Sequence, residues 1–322
     1  MDLDVLLPFH RVDNYFVEAV DSLSRSEGVS FNVILIDDRT DKSLDIFQLL
    51  APIKNKIVLE TEGGKGYGAA LEIGTKYLTS DVVALFNSDD LVSPLRFKKQ
   101  LANLGSSNLN FTKMQRISSQ NRKVTSLSGQ MNSKIYNPVY LLLGAYGANA
   151  SWCMRTEWWE KNSFFDDKEM LDWRIALNCF QRSNISYLPE SLYFYRKHSR
   201  QVTATKSHTQ SSLIPLFECW NRFALSLDIN FLSYDIFLAL ALPWLSGANV
   251  HFGETKIAAQ QILNVAYDLD NEISKDIESL IKRRFIFSLK SKASISDKVK
   301  FAFSGSPQVI NIARDFVIAA LP

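Results

Sequence analysis

The sequence predicts an α/β chain: a mostly parallel β-sheet flanked by helices, with a helical C-terminal extension. Three observations predict it. Apolar, β-rich runs recur at "LDVLLP" (3–8), "FNVILID" (31–37), "KIVLE" (56–60) and "DVVALF" (81–86); each is followed by a helical pattern; and from about residue 206 strand signals give way to helical periodicity alone. The runs are apolar almost throughout, not alternating, so both faces of the sheet should be covered, as parallel sheets require. The helices are expected near 13–26, 42–50, 66–79 and 94–104. In the first, Phe16, Val20 and Leu23 recur at helical spacing and Asp13 can serve as N-cap; the fourth opens on Ser93-Pro94. Ligands of such sheets bind beyond the carboxyl ends of the strands. The polar groups at those ends are Pro8-Phe9-His10, Asp37-Asp38, Glu60 to Gly64 and Asn87 to Asp90.

Composition narrows the function. The chain has 322 residues, 46% of them hydrophobic, enough for a large core with an appendage. Lys and Arg total 36 against 34 Asp and Glu, so no charge excess points to nucleic acid. Three cysteines, Cys153, Cys179 and Cys219, stand far apart without CxxC spacing and read as buried thiols of a reducing compartment. The start "MDLDVLLPFHR" lacks the basic opening of a signal peptide, and the expected location is cytoplasmic.

The stretch "VVALFNSDDLVSP" runs a buried strand into two adjacent carboxylates, Asp89 and Asp90. Like charges repel, and burial sharpens the repulsion, so such a pair faces either solvent or a cation. With "LLPFHRVDNYFVEAVDSL", "VILIDDRTDKS", "GGKGYGAALEIGTKYLTSDVVALFNSDDLVSPLRF" and "LDWRIALNCF...YLPESLYFYRKHSRQVT", in that order, the chain resembles the family 2 glycosyltransferases of the GT-A fold over roughly residues 1–205. The resemblance implies an inverting transfer of a sugar from a nucleotide-diphosphate donor, expected to be a UDP-sugar, to a hydroxyl of a glycan or lipid-linked glycan. It implies a nucleotide-binding half (1–104), an acceptor half (105–205) and an appended helical region (206–322).

The chemistry asks for these residue types in its own right. Breaking a sugar–diphosphate bond loads charge on the leaving group, and a divalent cation held by hard oxygen ligands, Mn²⁺ or Mg²⁺, stabilises it. By the resemblance Asp90 would contact the metal and Asp89 would lie nearer the ribose or sugar. Asn87 stands where many members carry another aspartate. Asp37 and Asp38 fall where the family reads the base, although "DDRT" replaces the usual "DDGS"; Pro8 and Phe9 close the first strand beside them. Gly64, Lys65 and Gly66 belong to a glycine-rich turn that can present backbone N–H groups to a phosphate at a helix start. Trp152, Trp158 and Trp159 are candidates for sugar stacking, though at this density they read first as core.

An attacking hydroxyl must lose a proton, which a carboxylate opposite the leaving group can take. "KEMLDWRIALNCF" offers Asp172 and Glu169; aligning "LDW" with the family's "QDW" prefers Asp172. His198, in "YRKHSR", matches the family's position near the diphosphate, as metal ligand or phosphate donor, with Arg196, Lys197 and Arg200 adding positive charge. Beyond 206, the uncharged stretch 236–253 is broken by Pro243 and reads as buried helices before a membrane span. Residues 282–300 carry seven basic groups against Asp297, interleaved with Phe285, Ile286, Phe287 and Leu289. That pattern suits peripheral contact with the inner face of a cell membrane. Competing readings are a non-catalytic nucleotide-sugar binding subunit and a sugar nucleotidylyltransferase; the latter needs a glycine-rich, Arg-containing loop after the first strand, where this chain has "PFHRVDN".

Overall fold

The computed structural model describes residues 2–124, 137–144, 149–163, 165, 170–179, 184–201, 210–230, 233–242, 252–269, 277–278 and 280–281. The first half alternates as its apolar runs dictate: β1 (Leu3–Phe9), α1 (Asn14–Ser24), β2 (Phe31–Asp37), β3 (Lys56–Glu60), α2 (Tyr67–Thr75) and β4 (Val82–Leu85). Then come β5 (Leu91–Val92), α3 (Arg96–Leu104), β6 (Leu109–Ser118), β7 (Trp152–Arg155), α4 (Thr156–Asn162), α5 (Leu171–Cys179) and β8 (Ile185–Lys197). Helices α6 (Gln210–Leu225), α7 (Tyr234–Ala241) and α8 (Phe252–Leu269) follow.

One eight-stranded sheet runs in the order β3-β2-β1-β4-β7-β6-β8-β5. Its first four strands are parallel, while β7 lies antiparallel between β4 and β6. Four of the seven strand pairings are parallel, as the sequence pattern suggested, and the three antiparallel ones involve β5 and β7. The register of β1 and β2, Leu3 opposite Phe31 through Phe9 opposite Asp37, brings the ends of both strands to one edge.

Alternate residues of each strand feed two cores. Leu6, Ile34, Ile36, Val83 and Leu85 face a cluster that includes α2, α5 and the helices after residue 210; Val5, Leu7, Val33, Leu35 and Ala84 face α1 and α3. Gly74 of α2 lets that helix close on the sheet, because a Cβ there would meet Ile36 and Leu6 side chains at 2.7 and 2.9 Å. The C-terminal helices are stitched to α5 through the short 3₁₀ helix Pro138–Leu143. Trp173 Nε1 donates to the Leu141 carbonyl and Trp220 Nε1 to the Leu142 carbonyl, both at 2.9 Å. In this way α5 is pinned from behind.

Asp13 caps α1, accepting from the Tyr15 and Phe16 amides. The helix expected at 42–50 is a series of turns instead. Asp41 and Asp45 accept from the Ser43 and Phe47 amides two residues on, and such Asx turns compete with a helix. Trp152 and Trp159 are fully buried and Trp158 nearly so, which makes them core residues, not sugar platforms. All three cysteines are free and buried. Helix α7 ends at Ala241, two residues before Pro243, and among the described residues no helix is long and apolar enough to cross a membrane. The basic segment 282–300 lies outside the described residues.

Candidate active site

The two aspartates after β4 have opposite surroundings. Strand β5 pairs antiparallel with β8, Leu91 opposite Phe194 and Val92 opposite Tyr193, and so lays β8 beside the Asp89-Asp90 turn. Asp90 is fully buried. Its carboxylate accepts from the Tyr193 hydroxyl, from the Arg196 amide at 2.7 Å and from Asn87 Nδ2 at 3.2 Å. Burial, and then the neighbouring Asp89 charge, push its carboxyl up to about 8, while these donors pull the other way. Asp89 keeps a third of its side chain exposed, and its Oδ2 lies 3.1 Å from His198 Nε2. The expected division, Asp90 on a metal and Asp89 nearer the sugar, thus meets an Asp90 with no open face.

His198 is held from several sides. Its ring lies 4.7 Å from that of Tyr15, and its Nδ1 accepts from the Arg200 amide at 3.2 Å. A neutral ring that accepts at Nδ1 carries its proton on Nε2, so here it is a donor toward Asp89. The cations that the sequence placed near an anion are largely engaged. The Arg196 guanidinium is buried, donates to the Asp89 carbonyl at 2.8 Å, pairs with Glu18 at 2.8 Å and stacks 4.6 Å over Tyr15. Arg200 pairs with Asp13 at 2.9 Å. Below the turn, buried Arg96 donates to the Leu85 and Trp152 carbonyls and packs over Tyr193, so it fastens β4 to β7 under the site.

At the ends of β1 and β2 both aspartates are occupied. Arg39, standing where a glycine was expected, folds back on Asp37 through Nε and Nη2, the latter at 2.7 Å, while its guanidinium lies 5.9 Å from the Phe9 ring. Pro8 is buried with Phe9 at this corner, and His10 is exposed. Asp38 accepts from the Thr61 hydroxyl at 2.5 Å, the Lys65 amide at 3.0 Å and the Gly66 amide at 2.9 Å; its own carbonyl accepts from the Gly64 amide at 3.0 Å. The amides that the sequence offers to a phosphate are spent on Asp38. From 28 residues away it fixes the turn that leads into α2, whose N-cap, Gly66 at φ 91°, has no side chain to accept from the first helical amides. The Lys65 ammonium pairs with Glu62.

Asp172 lies in the first turn of α5, half-buried; Glu169 lies outside the described residues. Tyr67 is the first residue of α2. Its hydroxyl accepts from Asn149 Nδ2 at 2.9 Å. Burial first, then the charges of Asp172, Asp90 and Asp89, raise its phenol well above the ordinary tyrosine value. Sequence reasoning missed Tyr67, Tyr193 and Tyr15. Only Tyr67 had a local signal, a bulky ring set among the glycines of "GGKGYG".

The comparisons with known proteins agree with this geometry. The family model described as glycosyl transferase family 2 matches residues 4–181, more than half of the chain. The chain is 22% identical over 244 residues to a protein of Bacillus subtilis (strain 168) named uncharacterized glycosyltransferase EpsJ, covering 70% of this chain and 71% of that protein. Among solved structures it is similar to residues 1–349 of S. aureus TarS in complex with UDP-GlcNAc, with TM-score 0.58 and 17% identity over 91% of this chain and 93% of that one. The complex of the same protein with UDP gives TM-score 0.55 and 18% identity at the same coverage. The chain therefore belongs to glycosyl transferase family 2, with the mixed sheet and flanking helices of the GT-A fold.

Proposed function

We propose that this glycosyltransferase moves a sugar, with inversion, from a UDP-linked donor to a hydroxyl of a glycan or lipid-linked glycan in bacterial surface polysaccharide synthesis. The observation that carries the reading is the asymmetry of the aspartate turn: Asp90 is sealed, while Asp89 stands open beside His198. The UDP and UDP-GlcNAc complexes of TarS, a protein of the same fold, support the donor class. The acceptor class rests on the basic, apolar-interleaved pattern of 282–300, which suits a cytoplasmic protein working against the inner face of a cell membrane.

The residues present fit a divalent cation shared with the donor. Asp89 Oδ2 and His198 Nε2, 3.1 Å apart, would hold the ion together. Among the described residues no three His, Cys, Asp or Glu side chains cluster into a protein cage, so donor oxygens and water would complete the set. A bound Mn²⁺ or Mg²⁺ would neutralise charge collecting on the diphosphate. For His198 to join it, the ring proton must leave Nε2, and the Arg200 amide must release Nδ1. Otherwise His198 serves as the Nε2–H donor to a phosphate oxygen. Asp90 holds Asn87, Tyr193 and the Arg196 amide, and so fixes the turn that aims Asp89.

Asp172 is the proposed base, taking the proton of the attacking hydroxyl on the side away from the diphosphate. The roles of Pro8, Phe9 and Asp37 are to shape the base corner, and those of Asp38, Gly64, Lys65 and Gly66 to set the α2 entrance near the diphosphate. The test is Asp172→Asn, assayed for transfer or donor hydrolysis with a UDP-sugar. Turnover should fall by roughly 10² to 10⁴ with donor affinity little changed. Full activity in that variant would remove Asp172 from the chemistry and, if Glu169→Gln were inactive, transfer the role to Glu169.

A further inference from the structure

We infer that the end of the β6–β8 pair, where Arg116, Arg122 and Lys197 share one face beside the Asp89 turn, binds a phosphate group of the acceptor. The inference deepens the proposed transfer and rests on it: the molecule whose hydroxyl is glycosylated carries phosphate. Its first support lies in the sequence. Lys and Arg total 36 against 34 Asp and Glu over the whole chain, yet no acidic residue lies between Asp90 and Glu157, where nine Lys and Arg stand. None lies between Glu190 and Glu218 either, where four more stand. The sheet lays these two acid-free segments side by side, because β6 pairs with β8.

Register puts three of the cations on one face. Ser118 lies opposite Lys197 of β8; on its other side the chain turns back, and the Ser118 amide donates to the Arg122 carbonyl at 2.8 Å. The bridge from Ile117 to Lys123, with the Val124 amide donating to the Arg116 carbonyl at 2.9 Å, sets Arg122 across from Ser118. Arg116, two residues before Ser118, lies opposite Tyr195, whose ring centroid is 5.8 Å from Lys197 Nζ. Residues opposite one another, or two apart along a strand, face the same way, and neighbouring strands are about 4.8 Å apart. Burial first, then the Arg116 charge, hold the Lys197 ammonium below its ordinary value. Among the described residues neither Arg122 nor Lys197 pairs with a carboxylate. Like charges gathered on one face of a sheet destabilise it, and an arriving anion relieves them. Hydrogen bonds place this face beside the site. Asn121, next to Arg122, accepts from Arg196 Nη1 and donates to Glu18 at 3.0 Å, while Arg196 Nε donates to the Asp89 carbonyl at 2.8 Å. One guanidinium therefore spans from the Asp89 turn to the cationic hairpin, and it engages Glu18 as well. Two guanidinium forks and an ammonium suit the several oxygens of a phosphate.

The competing accounts are a membrane contact and a solvated basic face. We would measure calorimetric affinities in EDTA for linear inorganic polyphosphate, standing for a phosphodiester chain, and for geranyl diphosphate, standing for a lipid-linked diphosphate. Phosphatidylcholine vesicles with and without phosphatidylglycerol complete the set. The proteins are wild type, Arg122→Gln, and a variant carrying both Arg122→Gln and Lys197→Gln; both side chains are exposed, and folding is checked by thermal melting. The inference expects wild type to bind polyphosphate, geranyl diphosphate or both, which names the source of the phosphate. Affinity should fall about 10-fold in Arg122→Gln, the scale of one charge-assisted contact, and further in the double variant. UDP affinity with Mn²⁺ should change far less. Binding of neither probe, binding that survives both substitutions, an equal loss of UDP affinity, or a loss seen only with anionic vesicles would overturn it. A wild type that binds a probe through these residues but binds no UDP would support the phosphate site and overturn the donor reading instead.

Discussion

Two strand ends of this molecule finish on the same dipeptide, and the fold treats them differently. At the end of β2, Asp37 is clasped by Arg39 and Asp38 is filled by the Thr61 hydroxyl and the amides of the glycine turn. After β4, Asp90 is filled by Tyr193, Arg196 and Asn87, while Asp89 faces an imidazole and keeps a third of its side chain exposed. Three of these four carboxylates are therefore buried among their partners, while Asp89 stays partly open beside the His198 ring. An aspartate at a strand end stays open to a ligand only where the neighbouring elements leave part of it uncovered, and that is decided by β8 and α2, not by the dipeptide.

The comparison can be broken by removing the filled carboxylates in turn. The largest stability effect should come from Asp90→Ala, which leaves a buried hydroxyl, a backbone amide and a side-chain amide without their acceptor. A loss of about 3 kcal/mol or more is expected in denaturant titration, and a variant as stable as wild type would show that Asp90 is not the structural member of its pair. Asp38→Ala should cost less, about 2 kcal/mol, since its donors lie near the surface and water can replace it. Hydrogen exchange of the Lys65 and Gly66 amides should accelerate in that variant before the core amides change. Smallest is a control on β1. Asp4 is buried, which alone would raise its carboxyl, but bonds from Thr79, Asn32 and Ser80 outweigh burial and hold it below 3.8. A depressed folded-state value contributes stability above the unfolded value that is lost as pH falls through the folded one. The stability gap between wild type and Asp4→Asn should thus be full near neutrality and shrink below about pH 4.

Much of the scaffold was legible in the sequence. The four apolar runs became β1 to β4 within about a residue. Both faces of β1, β2 and β4 are buried almost throughout, and a continuous apolar run has little else it can be, while β3, at the edge of the sheet, leaves Ile57 exposed. Asp13 was legible as a cap because its partners lie two and three residues on. What depended on distant partners was not. The antiparallel entry of β7 between β4 and β6 leaves no mark on either neighbour's sequence. The division of labour between Asp89 and Asp90 follows from Tyr193 and Arg196, more than a hundred residues downstream. "SLDIFQLL" has apolar spacing that suits a helix, yet Leu44 and Phe47 are exposed, and Asp45 within it and Asp41 just before it accept from backbone amides two residues on. Tyr67 was hidden by the glycines around it, which draw attention to the backbone and away from the ring.

The central claim is that Asp89, not Asp90, is the carboxylate that meets the donor's metal. It is tested most directly by UDP affinity measured with Mn²⁺ and with EDTA in wild type, Asp89→Asn and Asp90→Asn, each checked for folding by thermal melting. The account predicts that Mn²⁺ tightens UDP binding to wild type. Asp89→Asn should melt near wild type and lose that gain, whereas Asp90→Asn should melt lower and, once folded, keep it. An Asp89→Asn protein that retains the full Mn²⁺ gain, beside a folded Asp90→Asn protein that has lost it, would contradict the assignment.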